Sequence, residues 1–525
     1  MNNRIVAIAL VALLVLGAVG VGLAALISGD DPDPGRPDDS RTSATPQTAT
    51  EPDNPKATKP PSPGLAPFYS QTIDWEACGE LWCSTVTVPV DYRDPGGVTL
   101  DLALNMFPAD DPSRVVAPLV VNPGGPGAPG TDYAEQAPLV FRAELLERFD
   151  IVGFDPRGTG DSAPVDCLTD GQLDVFLASD PDPDDAVEGA QYADNQEAFF
   201  EGCVQRSDSL IGHVTTTETA RDLDVIRAVL GQNKLTYFGA SYGTKLGATY
   251  AELFPKKVGR LVLDGAVDVA LPSRELSLAQ AGGFETALRS YVENCTRTDD
   301  DCFLGDSVDE GIETISDLVA DIEAEPLSTQ QGRELAIGNA FYGIVAPLYS
   351  RDNWGFLDQG LSQALDGDGS TLLLLSDFYS SREGGVYTDN SAEAIYAINC
   401  LDEPYAIGPD EVPAQYDDFE RVSPTFGRVF AWGLVGCRGI QVRSTEKPLD
   451  IRGEGAAPIV VTGTTRDPAT PYAWAQALAE QLASGVLITR EGDGHTAYNA
   501  GNKCVDQAIE GYLIEGTVPD DGLTC

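Results

Sequence analysis

Short, wholly apolar runs recur along the chain, each closing on or just before a glycine-bearing turn. Pro118 to Asn122 runs into Pro123-Gly124-Gly125-Pro126-Gly127, and Phe149 to Phe154 into Asp155-Pro156-Arg157-Gly158. Leu235 to Phe238 stops at Gly239, Arg260 to Leu263 at Asp264-Gly265, and Pro458 to Thr462 at Gly463; Gly485 to Thr489 is the last. Runs of this length with no polar alternation suit strands buried on both faces of a parallel sheet. Thr85 to Val90 and Val98 to Phe107 alternate instead, as half-buried strands do. Helical periodicity fills several intervals: Thr217 to Leu230, with Leu223, Ile226, Val229 and Leu230 on one face, then Gly243 to Phe254 and Tyr472 to Leu482. Strand and helix in alternation predict an open, mostly parallel α/β sheet with helices on both faces.

The alternation breaks between residues 269 and 450, where helical periodicity is mixed and strand runs are few. Because the stretch lies between two sheet strands, it reads as a mainly helical insertion over the strand ends. Ligands bind at the carboxyl ends of such strands, so the insertion would form a lid. Residues 68–268 and 451–525 then make the two parts of the core.

The N-terminus is of another kind. Ile5 to Ile27 is uninterrupted and apolar, with Arg4 before it and Asp30, Asp31 and Asp33 after it. At about 1.5 Å per residue it can span a hydrocarbon core of about 30 Å, and it is longer than the usual secretory core segment. It reads as a signal or an uncleaved anchor; the positive charge on its short N-terminal side places the body outside the membrane. Residues 29–67, rich in Pro, Asp, Thr and Ser, read as a solvated, disordered tether.

Composition narrows the partners. The formal charge of −49, from 33 Lys and Arg against 82 Asp and Glu, would repel nucleic acid and favours cationic partners. An even count of ten cysteines in an exported chain suggests disulfides. Pairing neighbours in sequence (78–83, 167–203, 295–302, 400–437, 504–525) is the simplest scheme. A zinc site would need clustered Cys and His, yet His213 and His495 are the chain's two histidines. No metal or cofactor is expected.

The chemistry concentrates in three turns. Gly239-Ala240-Ser241-Tyr242-Gly243 fits G-x-S-x-G between an expected strand and an expected helix, the setting of a nucleophile elbow. A serine hydroxyl needs a base. His495, in Gly492-Asp493-Gly494-His495-Thr496 after the last strand, opens on the same sheet edge; His213 precedes the elbow at a helix edge, where a surface or capping role fits. Asp467, after the penultimate strand, gives the order Ser, Asp, His; Asp264 and Asp493 are its rivals as the acid. The loop Gly124-Gly125-Pro126-Gly127 reads as an oxyanion hole with the Tyr242 N–H. Pro123 and Pro126 have no N–H, so Gly124 or Gly125 must donate, with Gly125 preferred. As a phosphate loop it lacks the following G-K-[ST].

Asn122 to Gly127, Gly153 to Gly158, Gly239 to Thr244, Leu263-Asp264-Gly265, Asp467-Pro468-Ala469-Thr470-Pro471 and Gly494-His495 together resemble the tripeptidyl aminopeptidase branch of the proline-iminopeptidase-like α/β hydrolases. The resemblance runs in order from about residue 70 to the C-terminus. It implies the α/β-hydrolase fold, a C-terminal segment carrying Asp467 and His495, and a serine aminopeptidase acting on free N-termini of peptides or proteins. It also makes Asp155 and Arg157 loop-stiffening residues. Pro123 stands where proline iminopeptidases carry a histidine, which counts against strict proline iminopeptidase activity. An aminopeptidase must hold a cationic N-terminus, and Asp402 and Glu403 in the lid are the candidates, set against a reading as solvated acids. Esterase action through the same triad is the alternative, and a binding protein on a hydrolase scaffold is a third, disfavoured because all three triad residues are kept.

Overall fold

The structure, a computed structural model, describes residues 56–298 and 302–525 of the 525-residue chain. The apolar run 5–27 and most of the expected tether lie outside the described residues. Among those described, no helix is long and apolar enough to cross a membrane. The tether ends earlier than expected: Ala57 and Leu65 are buried, and the Ala57 carbonyl accepts from the buried guanidinium of Arg227. Leu65 gains more by joining the core than the Pro-rich context suggested.

A ten-stranded sheet forms the centre, ordered β1-β2-β3-β5-β4-β6-β7-β10-β11-β12. The strands are β1 (Glu76–Cys78), β2 (Leu81–Pro89), β3 (Thr99–Phe107), β4 (Ala117–Asn122), β5 (Phe149–Phe154), β6 (Leu235–Ala240), β7 (Val258–Asp264), β10 (Ile459–Arg466), β11 (Gly485–Asp493) and β12 (Leu523–Thr524). From β5 to β12 every pairing is parallel; β1, β2 and β3 extend the sheet antiparallel. The short β1 and β12 carried no sequence signal.

The apolar runs have a direct physical reading. Val120 and Val152 face one core, with Tyr237, while Leu119, Val121 and Ile151 face the other, with Phe238. Successive side chains of one strand point to opposite faces, and both faces are covered, so apolar residues dominate both sides, and a buried polar one such as Asn122 or Asp264 is hydrogen-bonded near a strand end. Helices α3 (Thr216–Val229) and α4 (Tyr242–Leu253) pack on the sheet, and Thr215 Oγ1 caps α3 by accepting from Glu218 N. The chain turns outward in opposite directions from β4: β5 lies to one side and β6 to the other. That switch point opens a crevice at the strand carboxyl ends, the place such sheets bind ligands.

A helical layer covers the crevice. Most of it comes from the expected insertion: α5 (Ser273–Thr298), α6 (Val308–Ala324), α7 (Ile337–Val345), α8 (Trp354–Leu365), α9 (Ser370–Tyr379) and α10 (Ser391–Asp402), with one small hairpin, β8 (Arg382–Glu383) and β9 (Val386–Tyr387). Residues 165–214, whose helices are α1 (Asp170–Ala178) and α2 (Ala186–Arg206), join it: Phe199, Phe200 and Val214 share one core with Ala394, Ala397 and Ile398 of α10. This second contribution left no mark in the residue pattern, because α1 and α2 look like ordinary crossover helices.

The ten cysteines form five disulfides, 78–83, 167–203, 295–302, 400–437 and 504–525, each joining sequence neighbours. Arg157 and Asp155 both stiffen loops but do not pair with each other. Arg157 reaches Asp222 and the carbonyls of Pro89, Val90 and His213, while Asp155 accepts from Thr131 and the Asp161 N–H.

Candidate active site

β6 ends at Ala240 and α4 begins at Tyr242, so Ser241 alone makes the turn between them. It sits at φ 55°, ψ −125°, a conformation non-glycine residues rarely adopt. The turn is held from below by the bond from Ser241 N to the Asp264 carbonyl, 2.8 Å, at the end of β7. The two flanking glycines make it possible. A Cβ on Gly239 would lie 2.4 Å from the Gly243 carbonyl, and one on Gly243 would lie 2.8 Å from the Asn122 carbonyl. The G-x-S-x-G pattern is therefore a space requirement of the elbow.

His495 follows β11, two residues past its end. Its ring is close enough that a Cβ on Gly265 would lie 3.2 Å from its Cε1. Its Nδ1 bonds both carboxylate oxygens of Asp467, at 2.9 Å each, while the buried Nε2 has no hydrogen-bond partner among the described residues. Asp467 is itself fixed by the N–H groups of Ala469, Thr470 and Thr496 and by Thr470 Oγ1. A carboxylate held so firmly fixes the imidazole tautomer with its proton on Nδ1, leaving Nε2 as the acceptor.

The rival acids are committed elsewhere. Asp264 is fully enclosed and accepts from Ala497 N, Tyr498 N and Thr462 Oγ1, so it shapes the loop that carries His495. Asp493 pairs with Arg466 and accepts from Ser290 Oγ. His213, just before α3, bonds Glu218 at 2.8 Å.

Burial works against the charged form of His495, but the Asp467 charge, its hydrogen bond and the nearby Asp264 outweigh it and hold the imidazole above its ordinary 6.5. A base must be neutral to act. The acid limb of kcat/KM in the free protein is therefore expected above pH 6.5; a limb at or below that value in a pH–rate profile would contradict the pairing. The sign for stability is opposite. The raised value stabilises the fold fully below the unfolded pKa, and that contribution is lost as pH rises through the folded one.

The glycine loop leaves β4 and turns against the elbow, so closely that a Cβ on Gly124 would lie 2.8 Å from that of Ser241. Gly124 spends its N–H on Asn122 Oδ1, 3.1 Å, and Gly125 stands exposed at φ +102°. Tyr242 is the first residue of α4, so its N–H belongs to the donors a helix leaves without an internal acceptor. Its phenol points away and bonds Thr216 Oγ1 at 2.6 Å.

Asp402 and Glu403 lie at the end of α10. Asp402 is held by Lys245 Nζ at 2.7 Å and by Thr216 N and Oγ1; Glu403 accepts from Ser273 N. Their charges are already engaged inside the protein, so an ammonium would reach Asp402 only in competition with Lys245. Two groups of possible metal ligands occur among the described residues, Asp91–His213–Glu218 and Asp180–Asp182–Glu323, and neither includes a residue of the Ser241 crevice.

Two contributors escaped the sequence. Thr470 lies 3.3 Å from His495 Nδ1 as well as bonding Asp467; it stood inside the quoted D-P-A-T-P stretch without a role. Tyr349, from the covering layer, accepts the His495 N–H on its carbonyl at 2.7 Å and sets its ring edge-to-face with the imidazole, centroids 5.4 Å apart. Nothing in sequence links residue 349 to residue 495.

Comparison with known proteins places this geometry. Residues 117–311 match the model of the alpha/beta hydrolase fold, and residues 423–525 match that of the TAP-like protein family. The chain is 37% identical over 482 residues to "Serine protease Hip1" of Mycobacterium tuberculosis, covering 87% of this chain and 92% of that one. It is 35% identical over 490 residues to "Carboxylesterase B" of the same organism (89% and 93%). To "Tripeptidyl aminopeptidase" of Streptomyces lividans it is 31% identical over 471 residues, covering 86% of each. With the elbow, the histidine loop and the glycine loop on one sheet edge, the chain belongs to the α/β-hydrolase family, in its tripeptidyl-aminopeptidase-like branch.

Proposed function

We propose that the protein is an exported serine aminopeptidase that releases short peptides, tripeptides by its resemblance, from free N-termini. The observation that carries the reading is His495: its Nδ1 is locked to Asp467, its buried Nε2 has no hydrogen-bond partner among the described residues, and its ring lies against Gly265, the neighbour of the Asp264 whose carbonyl holds Ser241 N. In this reading Ser241 Oγ attacks the substrate carbonyl as His495 Nε2 takes its proton. The N–H groups of Gly125 and Tyr242 hold the tetrahedral oxyanion, each such donor contributing about 10²–10³ in rate. Collapse passes the proton from His495 to the leaving amine and leaves the acyl group on Ser241; water, with His495 again as base, releases the peptide. None of these steps calls on a metal or cofactor. Export is supported by five disulfides and by the apolar run at residues 5–27, which would also be the contact with the membrane if uncleaved.

Esterase action is the second reading, favoured by the 35% identity to a protein named a carboxylesterase. Both reactions pass through the same oxyanion, so substrates separate them. A free-amine tripeptide anilide, its N-acetylated twin and a short acyl ester would be compared. The aminopeptidase reading expects cleavage of the free tripeptide and rejection of the blocked one. Cleavage of the ester alone would move the function to the esterase reading.

A further inference from the structure

Tyr349, which touches His495, is one member of a closed circuit of aromatic rings. Its ring meets Phe284 at 5.8 Å, Phe284 meets Phe430 at 5.7 Å, and Phe430 meets Phe341 at 6.3 Å. Phe341 meets Tyr342 at 5.5 Å, Tyr342 stacks on Tyr379 at 5.4 Å, and Tyr379 returns to Tyr349 at 6.1 Å. The circuit draws on α5, α7, α9, the turn before α8 and the short helix Gly427–Trp432, so the covering layer converges on it.

The collar is not fully closed over by its neighbours. Phe284 is buried, but Phe341, Tyr342, Tyr349 and Phe430 keep accessible surface, and Tyr379 leaves 38% of its own uncovered. At the same time burial pushes the phenols of Tyr342, Tyr349 and Tyr379 upward, as it does for groups enclosed in a poorly polar interior. Partly exposed rings in contact with His495 leave apolar surface within reach of a group bound at the serine. The collar also spans the reaction centre. On one side Tyr349 lies against His495; on the other, Tyr342 lies next to Tyr396 of α10. Two residues before Tyr396, Ala394 packs on the glycine loop, where a Cβ on Gly127 would meet it at 2.7 Å.

The six rings themselves carry no charge. Among the described residues the one hydrogen bond recorded between collar hydroxyls is Tyr349 to Tyr379, 3.5 Å, and no Lys, Arg, Asp or Glu side chain bonds a collar hydroxyl. Such a surface gains from burying apolar area and offers nothing to a carboxylate.

We propose that this aromatic collar is the specificity pocket for the acyl half of the substrate, taking the large apolar or aromatic side chain of the residue whose carbonyl Ser241 attacks. It rests on the serine-hydrolase reading of Ser241 but not on the peptide being the substrate.

The test uses the purified protein with free-amine tripeptide anilides ending in Ala, Leu, Phe or Glu before the anilide, and a parallel set of p-nitrophenyl esters with acetyl, hexanoyl and phenylacetyl groups. Wild type is expected to favour Phe and Leu over Ala by about 10- to 100-fold in kcat/KM, with Glu poorest. Tyr342→Ala should collapse the Phe-to-Ala ratio toward one. Tyr379→Ala, at the most exposed ring, should do the same if Tyr342→Ala fails to fold. If no anilide is cleaved but the esters show the same apolar preference, lost in the same variants, the pocket stands and the peptidase reading falls. No preference among acyl groups in wild type, a preference unchanged in both variants, or one that follows the leaving group instead would overturn the pocket.

Discussion

Ser241→Ala is expected to remove about 10⁴- to 10⁶-fold of kcat/KM on whatever substrate the protein turns over, while leaving its melting temperature near that of wild type. The hydroxyl is the only atom lost, and the strained turn at φ 55° persists because its causes lie elsewhere: the bond to the Asp264 carbonyl and the two glycines that let β6 and α4 approach. What activity survives would come from the oxyanion donors and from binding alone. The readout is a kinetic trace together with a thermal melt, and a variant that keeps more than a tenth of the activity would remove Ser241 from the mechanism.

Asp467→Asn should cost about 10⁴-fold in kcat with the fold intact. An amide at this place can present its NH₂ to His495 Nδ1, which favours the proton on Nε2, where it cannot accept from Ser241. The substitution also deletes the largest of the influences that raise the imidazole against the opposing effect of burial. The acid limb of the residual activity should therefore move to lower pH than in wild type. The two signatures belong together. A rate loss with an unmoved pH limb would mean that Asp467 acts by shaping the loop and not by orienting the base, since it also holds the N–H groups of Ala469, Thr470 and Thr496.

The parts of the site that sequence revealed are those in which local chemistry and fold agree. β4 and β6 are mainly apolar because both faces of the sheet are covered, and Ser241 lies between two glycines because no larger residue fits there. The prolines at 123 and 126 narrowed the oxyanion donor to Gly124 or Gly125; that the Asn122 side chain takes up the Gly124 N–H needed coordinates. The covering layer was legible as an interruption of the strand–helix rhythm but not in its composition. Residues 165–214 join it through contacts with α10 made some 200 positions away, and such contacts leave no periodic trace. Tyr349 and the collar escaped for the same reason: their rings come from separate helices and meet only in the folded chain. Asp402 and Glu403 show the opposite failure. Their acidity was visible, but Lys245, Thr216 and the Ser273 N–H, which engage them, were not.

The central claim is that Ser241 is the nucleophile activated by His495. The most direct measurement is the mass of the purified protein after reaction with a fluorophosphonate, followed by mapping of the labelled peptide. One adduct is expected, on Ser241, that forms in wild type, slows strongly in Asp467→Asn and is missing from Ser241→Ala. An unlabelled wild-type protein, or an adduct on another residue that persists in Ser241→Ala, would contradict it.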